Sequence, residues 1–96
     1  MAEFRLSPAA ERDLERIWRD TRKQWGVEQA HYYTDRLTVA FEVLAEIPLS
    51  AVACDDIRVG YRCRHVERHV IYFRVTVYGI AITRILHDCM DAKRHL

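Results

Sequence analysis

Residues 61–87 read YRCRHVERHVIYFRVTVYGIAITRILH, and this stretch decides the fold. Its apolar period is two. Tyr61, Cys63 and His65 alternate with Arg62, Arg64 and Val66, which predicts a strand from Tyr61 to Val66. Glu67-Arg68 forms a turn. The β-branched and aromatic run Val70–Val77 predicts a second strand, with Ile71, Phe73, Val75 and Val77 on one face. Tyr78-Gly79 turns the chain again, and Ile80–Leu86 is a third strand. Asp88 to Leu96 is polar and reads as a short helical or loose tail.

Upstream the period is helical. Phe4-Arg5-Leu6 is a short strand, and Ser7-Pro8 then starts a helix. The serine hydroxyl satisfies a free backbone N–H, while proline at the first helical position gives up an N–H that had no partner. Glu11, Asp13 and Glu15 stand near the positive end of the helix dipole. Leu14, Ile17, Trp18, Thr21 and Trp25 recur on one face, opposite Arg12, Glu15, Arg16, Arg19, Asp20 and Lys23. Gly26 ends the helix. A second begins near Val27 or Glu28, with Ala30, Tyr33, Leu37, Ala40, Phe41, Leu44 and Ile47 as its stripe, and Pro48 stops it. The aromatic members Trp18, Trp25, Tyr33 and Phe41 read as core. Residues 48–58 are a loop. The order β-α-α-β-β-β describes an α+β domain: an N-terminal strand and a helical hairpin packed on a mostly antiparallel sheet.

Ninety-six residues make a single domain, 1–96, with ordinary globular composition: half the residues are apolar and 30 % are charged. No apolar run is long enough for a bilayer, and Met1 to Leu6 does not read as a signal peptide. Cys54, Cys63 and Cys89 are an odd set that fits free thiols in a reducing cytoplasm. The net charge of +1 excludes nucleic-acid binding by bulk charge. It is unevenly divided: residues 1–56 hold 7 Lys+Arg and 11 Asp+Glu, whereas residues 57–96 hold 8 and 3, a balance of −4 against +5. The second half therefore suits an acidic partner.

Several chemistries fail on spacing. Cys63, His65, His69, His87 and Cys89 are metal-donor types but lack zinc-ligand spacing, so no metal is expected. No nucleophile elbow, phosphate loop or dinucleotide fingerprint is present. Arg62, Arg64, Arg74 and Arg84 lie in strands with His87 at a strand end. Such a set can hold a phosphate and move a proton, or it can simply line a solvated sheet face.

Gly60-Tyr61-Arg62, His69-Val70-Ile71-Tyr72-Phe73-Arg74, and Arg84-Ile85-Leu86-His87 followed by Met90-Asp91 and Arg94-His95-Leu96 resemble the ParE family, within the wider RelE/ParE superfamily. Ser7-Pro8-Ala9-Ala10, Asp13-Leu14, Ile17-Trp18, Trp25-Gly26 and Ala30-Tyr33-Leu37 resemble the family's helical hairpin, so the likeness covers nearly the whole chain. The resemblance implies the toxin of a type II toxin–antitoxin pair, inhibiting DNA gyrase by binding rather than by catalysis. It also implies neutralisation, in a hetero-oligomer, by a ParD-type antitoxin whose tail folds on binding.

RelE-type relatives instead cleave messenger RNA on the ribosome. Here the sheet carries no lysine, and Asp88 rather than an aromatic follows His87, a departure that favours the non-catalytic branch. No cofactor, catalytic residue, direct nucleic-acid contact or membrane contact is expected. The partner-binding candidates are Arg62, Arg64, Arg84, His87, Met90, Asp91 and Arg94. A structural role for Arg84, pairing with Asp91 to fix the tail, is the competing expectation. An interaction module that keeps the fold without toxicity is a third reading, which the neighbouring reading frame would separate.

Overall fold

The computed structural model describes residues 2–96. β1 (Glu3–Leu6) leads into α1 (Pro8–Trp25) and α2 (Val27–Glu46), followed by a single 3-10 turn over Pro48–Ser50 and β2 (Val52–Ala53). β3 (Arg62–Val66), β4 (His69–Val75), β5 (Gly79–His87) and a one-turn α3 (Ala92–His95) complete the chain. The sheet order is β1-β5-β4-β3-β2. The expected hairpin on a mostly antiparallel sheet is the fold, with two additions. β1 runs parallel to β5, and the segment read as a loop over residues 48–58 supplies the edge strand β2.

The serine start works as its chemistry requires. Ser7 Oγ accepts the Ala10 amide at 3.0 Å and donates to the Thr83 carbonyl at 2.7 Å, so one hydroxyl caps α1 and ties it to β5. Gly26, at φ 95°, reverses the chain between the helices and donates its N–H to the Arg22 carbonyl at 2.9 Å. Gly79, at φ 144°, allows β1 to lie beside β5: a Cβ there would fall 2.0 Å from the Glu3 carbonyl oxygen. The β4–β5 loop is Val77-Tyr78 rather than Tyr78-Gly79, because Thr76 and Gly79 exchange backbone bonds across it. Val77 at its tip is fully exposed, and Val75 is half exposed. The expected single face Ile71, Phe73, Val75, Val77 therefore ends at Phe73.

A bulge resets the register of β5 against β4. Tyr72 pairs with Arg84 but Phe73 pairs with Ile82, which leaves Thr83 as the extra residue in β5. Ile80, Ile82 and Ile85 all reach the helix-side core in spite of the three-residue step between the last two. That core also holds Ala10, Ile17, Leu37, Phe41, Leu44, Ile71 and Phe73. The opposite sheet face is covered as well. Cys54, Tyr61, Tyr72, Leu86 and Ala92 form a smaller core beneath the segment before β3 and the C-terminal turn. Full burial of each such large apolar side chain stabilises by about 1.5–3 kcal/mol.

Three apolar members of the expected stripes, Trp18, Trp25 and Ile47, lie outside the core. Trp25 is 68 % exposed at the hairpin tip, and Ile47 is exposed just past the end of α2. Trp18 instead packs edge-on against His31 of α2, ring centroids 5.6 Å apart, and locks the hairpin.

Candidate functional site

An open groove of about 1090 Å³ runs between the second half of α1, the first half of α2, the β3–β4 turn and the end of β5. Arg16, Lys23 and Arg68 line its rim with Asp20. Two other rim groups neutralise each other, since Arg36 pairs with Glu67 at 3.0 Å. The rim is thus left with an excess of cations.

A hydrogen-bonded cluster lies at the sheet end of the groove. The Arg68 amide donates to Tyr33 Oη at 3.1 Å, and Tyr33 Oη stands 2.6 Å from His69 Nδ1. In the His69 tautomer protonated at Nε2, Tyr33 donates its proton to Nδ1 while its oxygen accepts the Arg68 amide. Burial, and secondarily the neighbouring His87, hold His69 down at about 4, so it is neutral across the physiological range. Burial likewise pushes the Tyr33 phenol up. The His69 and His87 rings meet edge to face at 5.3 Å. His87 Nδ1 lies 3.2 Å from both Asp88 Oδ1 and the Cys89 amide.

Arg84 is held elsewhere. Its Nε and Nη2 donate to Asp13 Oδ2 and Oδ1 at 2.7 and 2.9 Å, and its Nη1 donates to the His95 carbonyl at 3.2 Å. The hydrogen bonds to Asp13 raise the guanidinium further, against burial. Asp13 Oδ2 also accepts the Ile85 amide at 3.0 Å. That amide lies on the β5 edge beyond the last residue of β1, where no strand would satisfy it. The expected Arg84–Asp91 pair is therefore replaced by Arg84–Asp13, and Asp91 instead caps α3 by accepting the Lys93 amide at 3.2 Å.

The seven partner-binding candidates do not form one surface. Arg62 donates to the Ala51 carbonyl at 2.8 Å and Arg64 to Ser50 Oγ at 2.9 Å, so both brace the 3-10 turn and β2. His87 and Met90 line the groove. Arg94 is exposed on α3. Asp13, Tyr33 and His69 have roles that their sequence context did not assign. For Asp13 a signal exists: it sits with Ala10 and Ile17 on the buried face of α1, where an unpaired carboxylate would be costly.

Among the described residues, no group of three or more His, Cys, Asp or Glu side chains stands close enough to hold a metal ion. No helix there is long and apolar enough to cross a membrane.

The architecture, a helical hairpin on a mixed five-stranded sheet, has a solved counterpart. A solved chain described as "Chromosomal ParDE TA system from P. aeruginosa" superposes with a TM-score of 0.79, covering 91 % of this chain and 96 % of that one. At 21 % identity this likeness is one of fold. The family model described as ParE toxin of type II toxin-antitoxin system, parDE, matches residues 4–92. Toxin ParE1 of Mycobacterium tuberculosis (strain H37Rv) is 44 % identical over 94 residues, 97 % of this chain and 96 % of that protein. Toxin ParE1 of Caulobacter vibrioides is 40 % identical over 96 residues, 100 % and 99 % of the two chains. The chain belongs to the ParE toxin family.

Proposed function

We propose that this ParE-family toxin acts by binding, with DNA gyrase as its target, and that a ParD-type antitoxin neutralises it in the cytoplasm. One observation carries the non-catalytic part. Arg84, the strand arginine nearest in sequence to His87, is engaged by both oxygens of Asp13 and by the His95 carbonyl. A phosphate would have to displace a charge-assisted, bidentate partner to reach it. His69, the other imidazole here, is neutral and already bonded to Tyr33. The cluster is built to hold a shape rather than to cycle a proton around a scissile phosphate.

The antitoxin reading rests on the groove. Its rim carries Arg16, Lys23 and Arg68 against Asp20, and its walls are partly apolar through Ile17, Ile85 and Met90. An acidic amphipathic segment that folds on binding suits such a surface. The structural neighbour, a chain of a ParDE system, supports the pairing by kinship of fold.

The test is a supercoiling assay with purified gyrase, with and without the co-encoded antitoxin. Inhibition that the antitoxin relieves, with ribosome-bound messenger RNA left intact, is the expected result. Gyrase insensitivity at saturating toxin would sink the target. Codon-linked cleavage lost in Arg84→Ala would replace the reading with the endoribonuclease one.

A further inference from the structure

The side of α2 turned away from the sheet is also apolar. Val39 and Val43, together with Ile47 and Leu49 in the segment that follows, are between 42 % and 71 % exposed. Val39 and Val43 lie about one turn apart on α2, and Ile47 caps it one turn further on. The buried stripe, with Ala30, Leu37, Phe41 and Leu44, lies on the far side of the same helix. A contiguous exposed apolar patch of this kind is often functional.

One border of the stripe is acidic. Glu28, Asp35 and Glu42 recur every seven residues, and Glu46 continues the row. All four are exposed. Among the described residues no ion pair engages any of them. The one arginine on the helix, Arg36, is held by Glu67 on the groove side.

We propose that this face docks a basic amphipathic helix of a second protein partner, at a site separate from the groove assigned to the acidic antitoxin. Charge decides the occupant. A second copy laid antiparallel across the stripe about a two-fold axis would set acidic row against acidic row. The outer face of α1 offers Arg12, Arg16, Arg19 and Lys23 but no apolar residue to fill the stripe. An anionic membrane surface is repelled by the same carboxylates. A helix with aliphatic residues on one face and lysine or arginine beside them satisfies both features at once.

The experiment is calorimetric titration of the full chain with a synthetic amphipathic helix of about three heptads, leucine on one face and lysine beside it, and with its glutamate-for-lysine twin. The lysine peptide binds saturably, and the twin at least about tenfold more weakly. Val39→Ser/Val43→Ser, both solvent-facing changes, lowers the lysine-peptide affinity by about tenfold and leaves antitoxin binding unchanged. Asp35→Lys/Glu42→Lys reverses the preference between the peptides. Equal binding of both peptides, or indifference to the valine pair, overturns the proposal. So does displacement of the peptide by saturating antitoxin, which would merge the two surfaces. A sedimenting dimer lost in the valine variant would make a second copy the occupant and overturn it as well.

Discussion

Asp13 on α1 grips Arg84 on β5 with both carboxylate oxygens and takes the Ile85 amide with one of them. The carboxylate is almost wholly buried, and the arginine reaches on to the His95 carbonyl. Helix, strand edge and C-terminal turn therefore meet at one ion pair. Removing one partner strands the other in a low-dielectric site. Asp13→Ala should cost about 3 kcal/mol or more in urea unfolding. Asp13→Leu/Arg84→Met should recover part of that loss, leaving about 1–2 kcal/mol for the orphaned Ile85 amide. A single variant within experimental error of the parent would show that the pair carries no stability.

His69 makes stability fall in mild acid. Its ordinary value is 6.5 and its folded value about 4, so the unfolded chain takes up the proton first as pH drops. The contribution is whole above 6.5, diminishes between 6.5 and 4, and is gone below. Because the ring is only half-buried, the loss is on the order of 1 kcal/mol rather than the full linkage value. Denaturation midpoints measured across this window should flatten in His69→Gln, which keeps an acceptor for Tyr33. An unchanged slope in that variant assigns the acid sensitivity to other groups.

Gly79 is a steric requirement. A Cβ there meets the Glu3 carbonyl oxygen at 2.0 Å and the Glu3 amide nitrogen at 2.8 Å, at a φ of 144°. Gly79→Ala should destabilise by about 2 kcal/mol or more and loosen the β1–β5 pairing. Faster amide exchange at Glu3, whose N–H bonds to the Tyr78 carbonyl, is the local signature.

The antitoxin site proposed at the groove predicts a salt dependence set by its cationic rim. Lys23→Glu/Arg68→Glu should weaken the complex by about tenfold at low ionic strength and reduce its sensitivity to added salt. The circular dichroism spectrum should not change, because neither side chain makes an ion pair within the fold. Affinity equal to the parent at low salt would move the acidic segment to another surface.

The hairpin and the order of strands were legible because their causes are local. Ser7-Pro8, Gly26 and Pro48 act on adjacent backbone, and an apolar period records which side of an element is buried. Two kinds of feature were not legible. Side-chain phase in β5 shifts at the Thr83 bulge, which alternation cannot register. Asp13 resembled a dipole-compensating acid in the first turns of α1, and only its place among Ala10 and Ile17 hinted at burial.

The sequence by itself determined the helical hairpin, the strands other than β2, the α+β class and, through its ordered fragments, the family. Tertiary structure decided that β2 forms, that β1 lies parallel to β5, that Arg84 belongs to Asp13 and not Asp91, and that His69 meets both Tyr33 and His87 beside a cationic groove. The reason is separation. Asp13 and Arg84 are 71 residues apart, and Tyr33 and His69 are 36. A polar side chain takes the partner that folding brings to it when both leave water, and no spacing rule along the chain encodes that meeting.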